Sequence, residues 1–491
     1  MIERGNVLWF GPRPDDVTEC EFRNRELTLV FPTENVDEGQ FIGARVAVFY
    51  FSGSTLTAVR QSFVRECARA VNHGLLVYLL AENDAVQDHI GTLIPMIEDP
   101  HKPLRRTKPV LHHEIAEAGA RHKPGREYNA SLKLEGSPAN DLSPDDRFFL
   151  HRAFNDCTAI ELTSLPGGRS GTVFSVQATF RDSRAGPRPL PFFAKIDDAK
   201  KVKTEHDKYQ DFATYHIPFN FRPNLDSTRC IHGATRGVLV GNFVDKSDSL
   251  WEIARKGMGS RLIHALFEDT LRGWRSQAGR REPIDGPVAG ALRTIVDVNK
   301  VRQENVEFAR TQGVIDAPNE VWEKLLGLRN QSYRVAPMHG DMHGENVRVR
   351  GNDAIVIDLL SVIGEGPLSA DLAGLETWLA FETAPSDRSD EEQKRWMRFI
   401  DELYEPTAIK RLPALEGLDL SFTWLRDCVR QIRMIACTTQ QCDSEYQTVI
   451  AVYLLRRSMY PGDSKADTVR RGYAFLTASR IVAHLVEARD A

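Results

Sequence analysis

No stretch of this chain approaches the ~20 consecutive apolar residues of a membrane-spanning helix, and no span is expected. Seven cysteines stand apart at positions 20, 67, 157, 230, 428, 437 and 442, with no C-x-x-C pair. That spacing argues against structural zinc and a disulfide framework. Reduced thiols in a cytoplasmic protein fit it better. A basic surplus is also missing: the formal net charge is −5. Nucleic acid is therefore not an expected partner. The short basic clusters at 200–203 and at Arg470–Arg471 read as solvated faces. The opening MIERGNVLWFG has no basic region followed by an apolar run, so no secretory leader is expected. No internal repeat or low-complexity tract stands out.

What is present is an ordinary globular composition, 42% hydrophobic and 27% charged over 491 residues. That length predicts two to four domains at roughly 100–200 residues each. Residues 1–116 alternate strands and helices. NVLWFG (6–11), ELTLVF (26–31), ARVAVFYF (44–51) and LLVYLLA (75–81) read as strands. Residues 55–74 carry helical spacing and stop at Gly74, and 85–97 also read as helix. Such alternation predicts a parallel sheet with helices on its faces. Residues 117–142 are rich in Gly, Pro, Asn and charge without a period, and read as a linker. His112 and His113 are adjacent, so they cannot both face one metal from a strand or helix.

By strand order and length, residues 1–116 resemble a response-regulator receiver domain. The chemistry of a receiver is absent. Phe49, Tyr50, Phe51 and Ser52 stand where the phospho-accepting Asp belongs, and Phe10 and Gly11 where an acidic pair belongs. Asp15 and Asp16 lie further on, after two prolines. The resemblance implies a pseudo-receiver suited to docking a protein partner. A generic small α/β domain is the other reading.

The remainder divides into a β-rich stretch, 143–247, and a mostly helical one, 248–491. Ser143 followed by Pro144, Asp145 and Asp146 is a helix start with a cap, a first-turn proline and two acids. Strands are expected over 158–180, interrupted by a glycine turn, then over 190–197 and 235–244. A helix over 199–215 separates the last two.

One cluster asks for chemistry: PMHGDMHGENVRVRGNDAIVID, residues 337–358. Asp341 and Asn346 have the spacing D-x-x-x-x-N, and Gly351-Asn352-Asp353 is good turn chemistry. A hairpin over 346–358 would return Asp358 toward Asn346. Both side chains offer oxygen to Mg²⁺, which prefers few protein ligands with phosphates and water. Asp358 follows three apolar residues, where a buried carboxylate would need a partner. ATP-dependent phosphoryl transfer needs a phosphate cradle, a cation, a metal and a group that orients the acceptor hydroxyl. PGGRSG (166–171), with Gly167, Gly168 and Gly171, is the candidate cradle. Lys195, flanked by apolar residues, is the candidate cation and needs a counter-charge if buried. Glu205 in the following helix is its expected partner. Asp341 is the candidate catalytic group. His339 and His343 are four apart, but Gly340 and Gly344 argue against a zinc-binding helix, so His343 is read as an orienter of the loop. Asp371 is either a helix cap or a brace beneath that loop.

On these residues the chain resembles the aminoglycoside phosphotransferase and choline-kinase-like branch of the protein-kinase-like fold, from about 143 to the end. HGDMHGEN, the strand end VID and the later ADLA carry the resemblance. It implies a two-lobed α+β fold, with lobes 143–247 and 248–491, that binds ATP and Mg²⁺. It makes Asp341 the catalytic Asp, with His339 and His343 in its loop. Asn346 and Asp358 become metal ligands, and Lys195 with Glu205 positions phosphates. Asn242, Phe243 and Val244 fall at the hinge near adenine. Met342 replaces a commoner Leu, and the glycine turn is not a regular G-x-G-x-x-G. More narrowly, the chain resembles the ternary-complex-associated kinase-like domains of bacterial conflict systems.

Two functions follow. One is a kinase passing phosphate to a hydroxyl of a small molecule or protein, in bacterial signalling or defence. The other is a nucleotide-binding scaffold without turnover that acts through protein partners. The intact set His339, Asp341, Asn346 and Asp358 favours the first.

Overall fold

A computed structural model describes residues 5–32, 36–52, 60–91, 105–106, 109–165, 171–182, 189–242, 247–410 and 419–490. The chain forms two compact units. The first is Met1–His206 with Asn224–Phe243; the second is Asp207–Pro223 with Val244–Ala491.

The first unit opens with five strands: β1 (Asn6–Phe10), β2 (Thr28–Val30), β3 (Ala44–Phe51), β4 (Leu76–Ala81) and β5 (Arg105–Arg106). They pair in parallel in the order β2-β1-β3-β4-β5. β1 and β3 are near-continuous apolar runs, as strands covered on both faces must be. The order reverses beside β1, and in open parallel sheets ligands gather at the carboxyl ends of strands at such a point. Here aromatic rings fill that end: Phe10 stacks on Phe49 at 4.4 Å, and Phe63 meets them edge-on at 6.0 and 5.7 Å. The helix expected over 55–74 is described over Arg60–Asn72 and the one over 85–97 over Asp84–Gly91; residues 55–59 and 92–97 lie outside the described residues. His112 and His113 turn to separate partners, Thr18 Oγ at 2.8 Å and Glu21 at 3.2 Å.

The stretch expected to be linker carries structure of its own. A helix over Pro109–Arg121 runs into it, and β6 (Lys133–Glu135) pairs in parallel with β7 (Cys157–Ser164). Its backbone carbonyls accept from a helix over Pro144–Ala153: Arg152 Nε donates to Arg126 O at 2.9 Å, and His151 Nδ1 lies 2.6 Å from Asn129 O. A three-residue strand held through carbonyls leaves no periodic trace in the side chains. Ser143 caps the helix that follows, accepting from Asp146 N at 3.1 Å.

Four further strands complete a six-stranded sheet: β8 (Thr172–Phe180), β9 (Leu190–Asp198), β10 (Ile231–His232) and β11 (Arg236–Asn242), in the order β10-β11-β9-β8-β7-β6. Alternate residues face the core beneath the 144–153 helix: Phe174, Val176 and Ala178 from β8, Phe192, Ala194 and Ile196 from β9. By the two-residue pleat, Lys195 and Asp197 point to the other face.

The second unit is mainly helical. β12 (Asp248–Ser249) adds to a hairpin of β16 (Val347–Arg350) and β17 (Asp353–Val356). Of the intervening strands, β13 (Ile284–Asp285) pairs β14 (Ser332–Tyr333), and β15 (Val335–Met338) pairs β18 (Ile363–Pro367). Helices over Ala370–Phe381, Thr423–Thr439, Glu445–Ser458 and Lys465–Asp490 build the core. Among the described residues no helix is long and apolar enough to cross a membrane. Arg470 and Arg471, expected on a solvated face, are each 3% exposed. Arg470 lies over the Trp396 ring at 4.7 Å, and Arg471 lies 3.7 Å from Glu382. An adjacent basic pair reads as surface unless its distant carboxylate is known.

Candidate functional site

Each unit carries part of the candidate set. In the first, Lys195 on β9 pairs with Glu205 at 2.7 Å on a helix over Ala199–Lys208. Both are buried, which meets the requirement that a buried ammonium have a counter-charge. Of the expected cradle, Gly171 is described; Gly167 and Gly168 lie outside the described residues. Gly171 has φ +81°, and a Cβ there would sit 2.9 Å from both Asp197 Oδ2 and Ile196 O, so a glycine is required. Asp197 is buried beside it, accepting from Asp198 N at 2.7 Å. Asn242 ends β11; Phe243 and Val244 lie outside the described residues.

In the second unit the loop after β15 carries the catalytic candidates. His339 and Gly340 both donate their backbone N–H to Asp371, at 2.7 and 3.1 Å. Asp371 is thus a brace beneath the loop, the second of its two readings. His339 is fully buried, and its Nε2 lies 2.9 Å from Ile357 O. A carbonyl only accepts, so that nitrogen carries the proton. Gly340 has φ +75°, and a Cβ there would meet Ser361 O at 2.4 Å. A side chain at this position would break the turn that presents Asp341.

Asp341 follows, its side chain 42% exposed. Its Oδ1 accepts from Arg456 at 2.9 Å, and Arg456 also donates to Gly340 O at 2.6 Å. Oδ2 lies 3.7 Å from His343 Nε2, too far for a hydrogen bond. The His343 ring stacks on Trp378 at 5.3 Å. Burial pushes its pKa down to about 4, although Asp341 pulls the other way. At neutral pH the ring is uncharged, so His343 is a neutral wall of the loop.

Asn346 is buried and donates its amide to Asp341 O at 2.9 Å, which leaves its oxygen for another partner. Its own carbonyl accepts from Ile357 N at 3.0 Å, and Val347 pairs with Val356. The hairpin therefore brings Asp358 back to Asn346. The premise that Asp358 is buried fails: it is exposed, with φ 58° and ψ 73°. The left-handed backbone takes it off the line of β17 after Ile357. Asn346 and Asp358 are hard oxygen donors, and such a set fits Mg²⁺ completed by water and phosphate. Among the described residues no group of three or more His, Cys, Asp or Glu is placed to hold a metal.

Sequence reading missed Arg456. It lies 115 residues from Asp341, within YLLRRS, where a helical Arg gives no sign of its partner. It also missed Glu382, one turn beyond Trp378, which accepts from Arg457 at 2.7 Å. Burial opposes ionisation of Glu382, but Arg457 and Arg471 outweigh it and hold its pKa at about 2, against 4.5 ordinarily. A carboxyl depressed on folding stabilises above its unfolded pKa and loses that contribution as pH falls. The expected loss, on the order of 3 kcal/mol, falls between about pH 4.5 and 2. Urea unfolding across that range should show a flatter acid limb for Glu382→Gln than for wild type.

No protein-family model matches the chain, and no curated protein matches it. Solved structures to which it is similar include the amicoumacin kinase hAmiN in complex with AMP-PNP, Ca²⁺ and Ami. That match has 12% identity and a TM-score of 0.32, and covers 67% of this chain and 88% of that one. A thermostable mutant of aminoglycoside phosphotransferase APH(4)-Ia matches at 13% identity and TM-score 0.34, over 70% of this chain and 98% of that one. A glucosamine kinase matches at 14% and 0.28, over 67% and 90%.

Proposed function

We propose that this chain is an ATP- and Mg²⁺-dependent phosphotransferase that passes the γ-phosphate to a hydroxyl of a small molecule or protein. The observation that carries the reading is the braced loop. Asp371 fixes its backbone, Arg456 occupies Asp341 Oδ1, and Asp341 Oδ2 is left to take a hydroxyl proton. As the acceptor oxygen bonds to phosphorus, the bond from phosphorus to the ADP oxygen breaks and the acceptor proton passes to Asp341. Asn346 and Asp358 would hold Mg²⁺, which when bound neutralises charge on the β- and γ-phosphates. Lys195, steadied by Glu205, would neutralise phosphate oxygens, with Gly167, Gly168 and Gly171 as the cradle. Asn242, Phe243 and Val244 would flank adenine. The parallel-sheet domain, with aromatic rings at its strand ends, is read as a docking element for a protein partner.

The test is Mg²⁺-dependent ATP binding and ADP release by the purified full chain. A ligand at a hundredfold excess over its Kd stabilises by about 2.7 kcal/mol, a clear melting shift. Wild type should show that shift with Mg·ATP and release ADP. Asp358→Asn should lose most of the Mg²⁺-dependent part. A folded wild type that releases no ADP, with or without a melting shift, would sink the reading.

A further inference from the structure

We infer that Arg456 is the positioning residue of the phosphotransfer centre, which sets Asp341 so that one carboxylate oxygen alone faces the acceptor. The inference rests on the function proposed above. Its guanidinium spans two groups of the loop, Gly340 O at 2.6 Å and Asp341 Oδ1 at 2.9 Å. Two N–H groups in one rigid plane thereby fix both the backbone before Asp341 and its side-chain rotamer. A lysine ammonium is a point charge and lacks that planar fork.

Arg456 is itself held in place. It lies near the end of the 445–458 helix, its side chain 15% exposed and its guanidinium 5.9 Å from the Tyr453 ring centroid. On the other side of Asp341, His343 Nε2 lies 3.7 Å from Oδ2, out of hydrogen-bond reach, so it does not restrain that oxygen. The restraint is therefore one-sided. Oδ1 is occupied and Oδ2 is the oxygen positioned to receive a proton. Without the guanidinium, Asp341 is free to turn about its side-chain bonds. Misplacement of a reacting group by about 1 Å costs on the order of a hundredfold in rate.

The experiment compares wild type, Arg456→Gln, Arg456→Lys, Arg456→Ala, Asp341→Asn and the Arg456→Gln/Asp341→Asn double variant, all as full chains with Mg·ATP. The expected result is a roughly hundredfold loss of kcat for ADP release in both Arg456→Gln and Arg456→Lys. KM for ATP and the Mg·ATP melting shift should stay at wild-type values. Guanidinium ion at millimolar concentration should restore part of the rate to Arg456→Ala, and Arg456→Gln should cost nothing further once Asp341 is Asn. A purely structural Arg456 predicts the opposite: binding falls with kcat, guanidinium does nothing and the two losses multiply. Any of those, or unchanged kcat in Arg456→Gln, overturns the inference. If wild type itself releases no ADP, the phosphotransfer reading has failed and the inference falls with it. Failure of the inference alone leaves wild type active.

Discussion

Replacing Asp341 by Asn should lower ADP release by roughly 10²–10⁴-fold, the range a positioned general base contributes. The Mg·ATP melting shift should survive. The substitution keeps the side chain's shape, and its amide oxygen still accepts from Arg456, now at 2.9 Å from Asp341 Oδ1. Asn346 contacts the backbone carbonyl of residue 341 and not its side chain, so the Asn346 end of the loop, proposed to hold the metal, keeps its geometry. What disappears is the basic oxygen that would receive the acceptor proton. Steady-state ADP release beside nucleotide-induced melting separates the two effects. Equal loss of binding and turnover would mean that Asp341 holds the loop or the metal instead of the proton.

The sequence made much of this loop legible because its signals are local. The spacing of Asp341 and Asn346, the turn at Gly351-Asn352 and the alternation over β16 are set within twenty residues, and the hairpin pairs Val347 with Val356 as they require. The Lys195–Glu205 pair was readable from the cost of burying an ammonium. Ser143 was readable as a cap because its partner is three residues away. What stayed hidden depends on partners far along the chain. Arg456 meets Asp341 across 115 residues and Arg457 meets Glu382 across 75. Arg470 and Arg471 looked solvated because nothing nearby in sequence points to Trp396 and Glu382 as their partners. Asp358 misled in the other direction: three apolar neighbours suggested burial, and one left-handed residue exposes it.

Glu376→Gln should destabilise the second unit by about 3–5 kcal/mol, the cost of leaving one member of a buried ion pair without its counter-charge. Glu376 and Arg433 are both fully buried. Glu376 Oε1 accepts from Arg433 at 2.8 and 3.0 Å, and Oε2 from Tyr446 at 2.7 Å. Glutamine keeps the shape but turns one acceptor into a donor facing these groups, and Arg433 stays charged where no water reaches it. A surface pair of similar length, Arg480 with Asp401 at 2.7 Å and nearly half exposed, sets the contrast: Asp401→Asn should cost less than about 1 kcal/mol. Six of the seven tryptophans lie in the second unit, so urea unfolding followed by tryptophan emission reads it selectively. The pair matters to the site because one helix, Ala370–Phe381, carries both functions. Asp371 at its start braces His339 and Gly340, Glu376 in its middle ties it to Arg433, and Trp378 backs His343. A large loss of stability in Glu376→Gln would show that the Asp341 loop is held by a helix locked by charge. A loss no greater than that of Asp401→Asn would leave apolar packing as what keeps Asp371 under the loop.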